Sequence, residues 1–264
     1  MHSVSYHRAS SVEEAVKLLS AAEDGKFVAG GQTLIATMKQ RLAQPSDLVD
    51  LRHIQAMKGI SVSGRRVRIG AGVTHAEVAG SAELRSVCPA ICNLAGMIGD
   101  PHVRHIGTIG GSVANNDPAA DYPAAILALG ATVVTNQREI GADDFFEGLF
   151  DTALMEGEII TAFVFDAPEK AGYAKFANPA SRYAMTGVFV ANKGGRVRVA
   201  VTGAGADGVF RHAGLEQALT DRWSPEALSE VAIDPSNLME DLHCTAVYRA
   251  NLIRVMAKRA VAQA

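Results

Sequence analysis

The sequence predicts an α+β protein in three subdivisions: an N-terminal α/β lobe, a middle α+β lobe, and a C-terminal domain of strands then helices. Three observations lead there. Within Lys26 to Leu42 a short strand, a double-glycine turn and a helix follow one another. Between Arg66 and Phe165, half-buried strand patterns are mixed with apolar helical stretches, and from Tyr173 onward the texture changes to a hairpin followed by two helices. No internal repeat or low-complexity linker interrupts the 264 residues, which suffice for a large buried core.

Ser10 and Ser11 ahead of Val12, Ala15, Val16, Leu18 and Leu19 predict a capped amphipathic helix with Glu13 and Glu14 in its first turn. Lys26 to Ala29 is read as a strand, Leu34, Ile35, Met38 and Leu42 as a helix, and Asp47 to Leu51 as a second strand; Ile54 and Ile60 open a connection. Arg66 to Ile69 alternates as a half-buried strand should, and Thr74 caps a helix running through Val78. Leu84 to Ile98 reads as one apolar helical stretch around Pro89, leading into an irregular Asp100 to His105 segment and a TIGGS loop. Tyr122 to Leu129 is compact and rich in small residues; Thr132 to Asn136 and Ile159 to Phe165 are later strands of the middle lobe. Val188 to Ala191 and Val197 to Thr202 form a hairpin across Asn192 to Gly195, followed by helices at Leu215 to Leu219 and Cys244 to Val261.

Composition narrows the function. Hydrophobic residues at 48% and charged residues at 20% are those of a folded domain, and a net charge of −3 gives no basic surplus for nucleic acid. The three cysteines, Cys88, Cys92 and Cys244, cannot all pair and fall short of a four-thiolate cluster, so buried free thiols are expected. The N-terminal stretch has no apolar signal core and no run approaches the ~18 apolar residues of a membrane span, which makes cytoplasm the expected compartment.

The chemistry-bearing features are two double glycines, AGGQT at Ala29 to Thr33 and TIGGS at Thr108 to Ser112. Glycine lets backbone N–H groups approach an anion, and successive N–H groups in a tight turn make a concave positive site, so the two loops can close on one pyrophosphate. A valine at Gly30 or Gly110 is then expected to block the ligand without unfolding the protein.

Other patterns read more simply as structure. Gly203, Gly205 and Gly208 follow a strand with dinucleotide-fingerprint spacing, but no parallel strand returns after the next helix, so a loop is expected. Gly70 and Gly72 fit close strand–helix packing. His102 and His105 would share a metal only on a helix, and Pro101 with the neighbouring glycines argues for a loop. Asp117 and Asp121 in DPAAD could be read as a paired-carboxylate acid/base site; the simpler reading makes Asp117 a turn initiator and Asp121 a cap for the helix at Tyr122. Arg249, Arg254, Lys258 and Arg259 fit a solvated face with cations toward the helix C-terminus. Taken as residues alone, Lys175 is a solvated strand position and Tyr183 a core aromatic.

The glycine loops, set in FVAGGQTLIATMKQRLAQPSDLVDL and RHIGTIGGSVANNDPAADYPAAILALGATV, resemble the FAD-binding medium subunits of molybdenum hydroxylases, the family of xanthine and carbon monoxide dehydrogenases. DLHCTAVYRANLIRVMAKRA, Asp241 to Ala260, is similar to that family's C-terminal signature, so the resemblance runs nearly end to end. It implies a two-lobed FAD-binding domain of the PCMH/vanillyl-alcohol-oxidase-like type over residues 1–168, with lobes of about 1–54 and 55–168, and over 169–264 an α+β domain like the C-terminal domain of carbon monoxide dehydrogenase flavoproteins.

The resemblance also implies the ligand contacts. Phe27, Val28, Ala29, Gly30, Gly31, Gln32, Thr33 and Leu34 would wrap the pyrophosphate of non-covalent FAD with Thr108, Ile109, Gly110, Gly111 and Ser112. Ile98 and Ile160 match apolar positions lining the cofactor, and Asp121 a cofactor-binding position. Lys175 would stabilise anionic reduced flavin near N1 and the C2 oxygen, and Tyr183 would lie beside the isoalloxazine and control access to N5. Arg104-His105 departs from the family's usual Arg-Asn, and Gln32-Thr33 from the His-Ser usual in carbon monoxide dehydrogenases. No catalytic residue or metal ligand is expected on this chain. An iron–sulfur small subunit with 2Fe–2S clusters and a large subunit with the molybdenum cofactor are implied, assembled as a dimer of heterotrimers, with this chain passing electrons to quinone, NAD or oxygen. The competing readings are a free-standing FAD-dependent oxidase or reductase, and a nucleotide-binding module without redox chemistry.

Overall fold

The computed structural model describes residues 2–264. Its first sheet is parallel, with β1 (Ser5–Arg8) and β2 (Gly25–Val28) flanking β3 (Asp47–Asp50). Helices α1 (Val12–Ser20) and α2 (Leu34–Lys39) make the crossovers. The expected serine cap of α1 is present: Ser11 Oγ accepts the Glu14 N–H, and Ser10 donates through both its N–H and hydroxyl to the Glu14 carboxylate. β1 was not foreseen. It is short, polar and mostly exposed, so it lacks the alternation that marks a strand.

The second sheet is antiparallel, in the order β4 (Ile60–Ser63), β5 (Arg66–Gly70), β10 (Ile160–Asp166), β6 (Thr132–Thr135), β7 (Glu139–Gly141). Between β7 and β10 lies the ribbon of β8 (Phe146–Gly148) and β9 (Asp151–Thr152). A helical run joins β5 to β6: α3 (His75–Gly80), α4 (Ala82–Val87), α5 (Pro89–Gly96), α6 (Pro101–Ile106), α7 (Ile109–Asn115) and α8 (Tyr122–Ala128). The single helix expected from Leu84 to Ile98 is two helices, because Pro89 cannot take an N–H into the preceding turn and instead starts α5 at its first position. The segment expected to be irregular around Pro101 is helix α6. Proline again occupies the first turn, and Asp100 caps it by accepting the Val103 N–H.

The third sheet is the antiparallel meander β11 (Lys170–Ala177), β12 (Ala184–Lys193), β13 (Arg196–Thr202) and β14 (Phe210–Arg211). Gly194 and Gly195, both at positive φ, make the expected hairpin turn between β12 and β13. Helix α10 (Ala246–Ala262) packs on this sheet, and α9 (Ala213–Asp221) lies beside β13. Gly172 lets α10 approach: a Cβ there would meet the Ala260 carbonyl.

Helix α8 is buried along its entire length and contacts β12 and β13, tying the middle sheet's core to the third sheet. Each fully buried Ile or Leu in it contributes about 1.5–3 kcal/mol. The cations of α10 are less solvated than expected. Arg249 is buried, donating to the carbonyls of Met185 and Gly203 and to the Asp241 carboxylate, while Arg254 donates to the Val231 carbonyl. The three cysteines are buried free thiols, with burial pushing Cys88 up to about 12.

Candidate functional site: a cavity between two glycine segments

The first glycine segment lies where β2 ends and α2 begins. Gly31 takes a left-handed φ of 68°, turning the chain from the sheet into the helix. The carbonyls of Gly31 and Thr33 accept the N–H groups of Ile35 and Thr37, whereas the N–H groups of residues 31–34 donate to nothing within the protein. Four unspent N–H groups in one tight turn make a concave positive site. Thr33 makes no capping bond with its own side chain.

The second segment differs from expectation. Thr108 to Ser112 is the start of α7 and not an open loop: Thr108 Oγ1 accepts the Gly111 N–H at 3.1 Å, and Ser112 N–H bonds the Thr108 carbonyl. Ile109 and Gly110 donate to the carbonyls of Val73 and Ala71, so their N–H groups are spent. Its two glycines have different jobs. A Cβ on Gly110 would lie 2.6 Å from the Ala71 carbonyl oxygen, so a valine there wedges α7 off the segment after β5 and does not probe the ligand cleanly. A Cβ on Gly111 would point across the gap toward Ala29, 4.0 Å away, with only the Thr108 hydroxyl closer, at 3.0 Å.

The two segments meet at Gly30, where a Cβ would strike the Ile106 carbonyl and come within 2.6 Å of Gly107 Cα. Gly30 is therefore a packing contact between the segments. The cavity between them, about 700 Å³, lies within the range of small-molecule and cofactor sites. Sixteen of the eighteen residues singled out from sequence line it. Ile98 and Ile160 supply apolar wall, as do Leu51 and Leu154, and Asp121 and Tyr183 line it as well.

The two that do not line the cavity are Ile109 and Lys175. Ile109 is fully buried in the core. Lys175 has a side chain only 4% exposed, and its ammonium donates to Met97 O and Arg182 O, each at 2.9 Å, and to Asp121, with 2.9 Å to Oδ1. Its three N–H bonds are thus satisfied by protein, which corrects the solvated-strand reading. Lys175 is a tether: it binds the turn carrying Arg182 and Tyr183 to the carboxylate on the cavity wall.

Asp121 occupies the N-cap position of α8 but makes no capping bond; its carboxylate accepts from Lys175 and from the Tyr173 hydroxyl at 2.5 Å. Burial raises its pKa, and the Lys175 ammonium and Tyr173 hydroxyl oppose that rise. Asp117 behaves as the expected turn residue, accepting the Ala119 N–H at 2.8 Å.

Tyr183 is 47% exposed and leans over the cavity, not into the core. The turn before it is held by Asn178 Oδ1, which accepts from Ala180 and Ser181, and by Arg182 in a left-handed conformation with φ 64°. Ser181, Arg182 and His75 also line the cavity and were not anticipated. The Thr74–Glu77 capping box fixes where α3 begins, but no pattern in the sequence says that its first residue, His75, turns inward.

The other motifs stay outside this cavity. Gly203, Gly205 and Gly208 form a loop into the two-residue β14, with Gly205 and Gly208 beside a second cavity of about 310 Å³. Gly70 packs on the Met57 carbonyl at the end of a short 3-10 turn, Gln55–Met57. His102 and His105 lie on α6 after all, but no group of three or more His, Cys, Asp or Glu side chains suited to a metal occurs among the described residues. None of the helices is long and apolar enough to cross a membrane, among the described residues.

A turn of free N–H groups, an opposing glycine and apolar walls suit a long ligand with an anionic middle and a flat apolar end. Residues 2–166 match the family described as the FAD binding domain in molybdopterin dehydrogenase. The nicotine 6-hydroxylase medium subunit of Paenarthrobacter nicotinovorans is 34% identical, over 99% of this chain and 97% of that one. The carbon monoxide dehydrogenase medium chain of Afipia carboxidovorans is 36% identical, over 99% and 96%. A solved structure of reconstituted CO dehydrogenase from Oligotropha carboxidovorans superposes with a TM-score of 0.90 at 33% identity, covering 100% of this chain and 98% of that one. The chain belongs to the family of FAD-binding medium subunits of molybdenum hydroxylases, and is an oxidoreductase subunit.

Proposed function

We propose that residues 1–168 hold FAD non-covalently, extended through the cavity, and that residues 169–264 form the domain that closes its flavin end. The observation that carries this reading is the convergence on one cavity of the free N–H groups of residues 31–34, the bare face of Gly111 and the apolar side chains of Ile98 and Ile160. The N–H turn would bind the pyrophosphate, and Gly111 leaves room for it to approach. Asp121 would accept a hydrogen bond at the flavin end, with Lys175 and Tyr173 fixing its carboxylate. Tyr183 would cover part of the flavin ring and limit access by oxygen. FAD, when bound, supplies the ability to take electrons singly and give them up singly or in pairs.

The chain is thus an electron outlet: substrate is oxidised at molybdenum on a large partner subunit, an iron–sulfur partner carries the electrons, and this subunit delivers them to an external acceptor. A dimer of heterotrimers in the cytoplasm is the assembly we propose. The names of the relatives span nicotine and carbon monoxide chemistry on one medium-subunit fold, which fits substrate choice residing on another chain.

An anaerobic experiment tests the relay. The isolated, FAD-loaded chain is expected to show no flavin bleaching on addition of carbon monoxide, an aldehyde or an N-heteroaromatic compound, while its complex with the cognate partners bleaches with the substrate that complex oxidises. Bleaching of the lone chain would contradict the relay and favour a free-standing oxidase.

A further inference from the structure

His75 is a buried titratable group on the cavity wall to which the reading above gives no role. The residue is 5% exposed, forms part of the wall, and its Nδ1 has no hydrogen-bond partner. Its backbone is fixed: Thr74 and Glu77 form a reciprocal capping box, and the His75 N–H donates to the Gly107 carbonyl at 2.9 Å. Gly107 makes room for the ring, since a Cβ there would lie 2.6 Å from His75 Nε2. Gly107 is also the residue against which Gly30 packs, so the imidazole stands at the seam of the two glycine segments.

An apolar side chain would fill that space without leaving a polar atom unpaired. Burial, and next the charge of Arg104, hold the imidazole pKa at about 4, so the ring is neutral near pH 7 and carries one N–H. A sealed N–H with no acceptor is worse placed than a sealed lone pair. The other orphaned polar atom nearby, the Tyr122 hydroxyl on a ring 5.4 Å away between centroids, is itself a donor, which favours the lone pair on Nδ1. The proton then belongs on Nε2, beside Gly107.

We propose that His75 is a cofactor-binding residue whose Nε2–H donates to a pyrophosphate oxygen of FAD where the two glycine segments meet. This rests on the FAD reading above. A neutral donor suits the position, because it binds the anion without the desolvation cost of a buried cation.

The test uses the full chain stripped of flavin, titrated with FAD and with ADP, which shares the pyrophosphate. His75→Leu is expected to weaken both ligands about ten- to a hundredfold, and His75→Gln, whose amide N–H reaches about as far as Nε2, to recover most of the loss. In the unmutated chain, ¹⁵N NMR of labelled histidine is expected to show the Nε2–H tautomer, with that resonance moving on addition of ADP. Undiminished FAD and ADP binding by His75→Leu, a loss confined to FAD, or an Nδ1–H tautomer would each overturn the assignment. Failure of the unmutated chain to bind FAD would instead overturn the cofactor reading itself.

Discussion

Replacing Gly111 by valine is expected to leave the fold intact and to raise the Kd for FAD at least about a hundredfold, equivalent to about 2.7 kcal/mol. The new side chain would point across the gap to Ala29 and occupy the space through which a pyrophosphate must approach residues 31–34. Its one close contact within the protein is the Thr108 hydroxyl, at 3.0 Å from Cβ, and glycine is a poor helix former, so α7 loses little. Gly111→Ala, with a smaller intrusion, is expected to show a loss of about tenfold. Gly110→Val is the contrasting control: collision with the Ala71 backbone should lower the thermal midpoint of the apoprotein, whereas Gly111→Val leaves that midpoint unchanged. Flavin titration with thermal unfolding of the apoprotein separates the two. A full complement of FAD on Gly111→Val refutes the placement of the pyrophosphate.

Lys175→Met is expected to cost about 3–5 kcal/mol of stability, because it strands the buried Asp121 carboxylate and removes the donor to two backbone carbonyls. The loss should depend on pH, with a sign set by Asp121. Without the ammonium, the folded pKa of this buried carboxyl stands well above its unfolded value. A raised folded pKa contributes stability in full below the unfolded pKa and loses it as pH rises through the folded one. The gap between variant and wild type is therefore narrow below the ordinary Asp value of 3.8 and widens with increasing pH. The double variant Lys175→Met, Asp121→Asn should recover much of the stability at neutral pH. Denaturant unfolding across pH 4 to 8 measures this, and a pH-independent gap would contradict the buried-pair account. Since Lys175 also holds the Arg182 carbonyl, the single variant should loosen the turn bearing Tyr183 as well.

How much of this was legible in the sequence depends on the range of the interaction. Helix α1, the strand-to-glycine turn at Gly31 and the Gly194–Gly195 hairpin follow from caps, periodicity and positive φ, all local, and they appear where expected. Helix α6 carries an N-terminal signal in Asp100 and Pro101, but the flanking glycines favour a loop and mask it in the sequence. The double glycine of the second segment marks the right place for a different reason: both glycines line the cavity, but a Cβ on Gly110 would meet Ala71, whereas one on Gly111 would point across the gap toward Ala29. Lys175 and Arg249 were beyond local reading altogether. Each is buried by carbonyls distant in sequence, Met97 for one and Met185 and Gly203 for the other, and a spacing pattern carries no information about depth. His75 was hidden likewise, since a capping box locates a helix start but not what faces it.

The free N–H groups of residues 31–34 are proposed to hold the pyrophosphate of FAD opposite Gly111. The most direct test is a crystal structure of the chain reconstituted with FAD. Phosphate oxygens are expected within hydrogen-bond distance of those N–H groups, with the pyrophosphate passing beside Gly111 and the flavin ring toward Asp121 and Tyr183. A pyrophosphate bound elsewhere, for instance beside Gly205 and Gly208 in the smaller cavity, with residues 31–34 untouched, would contradict it.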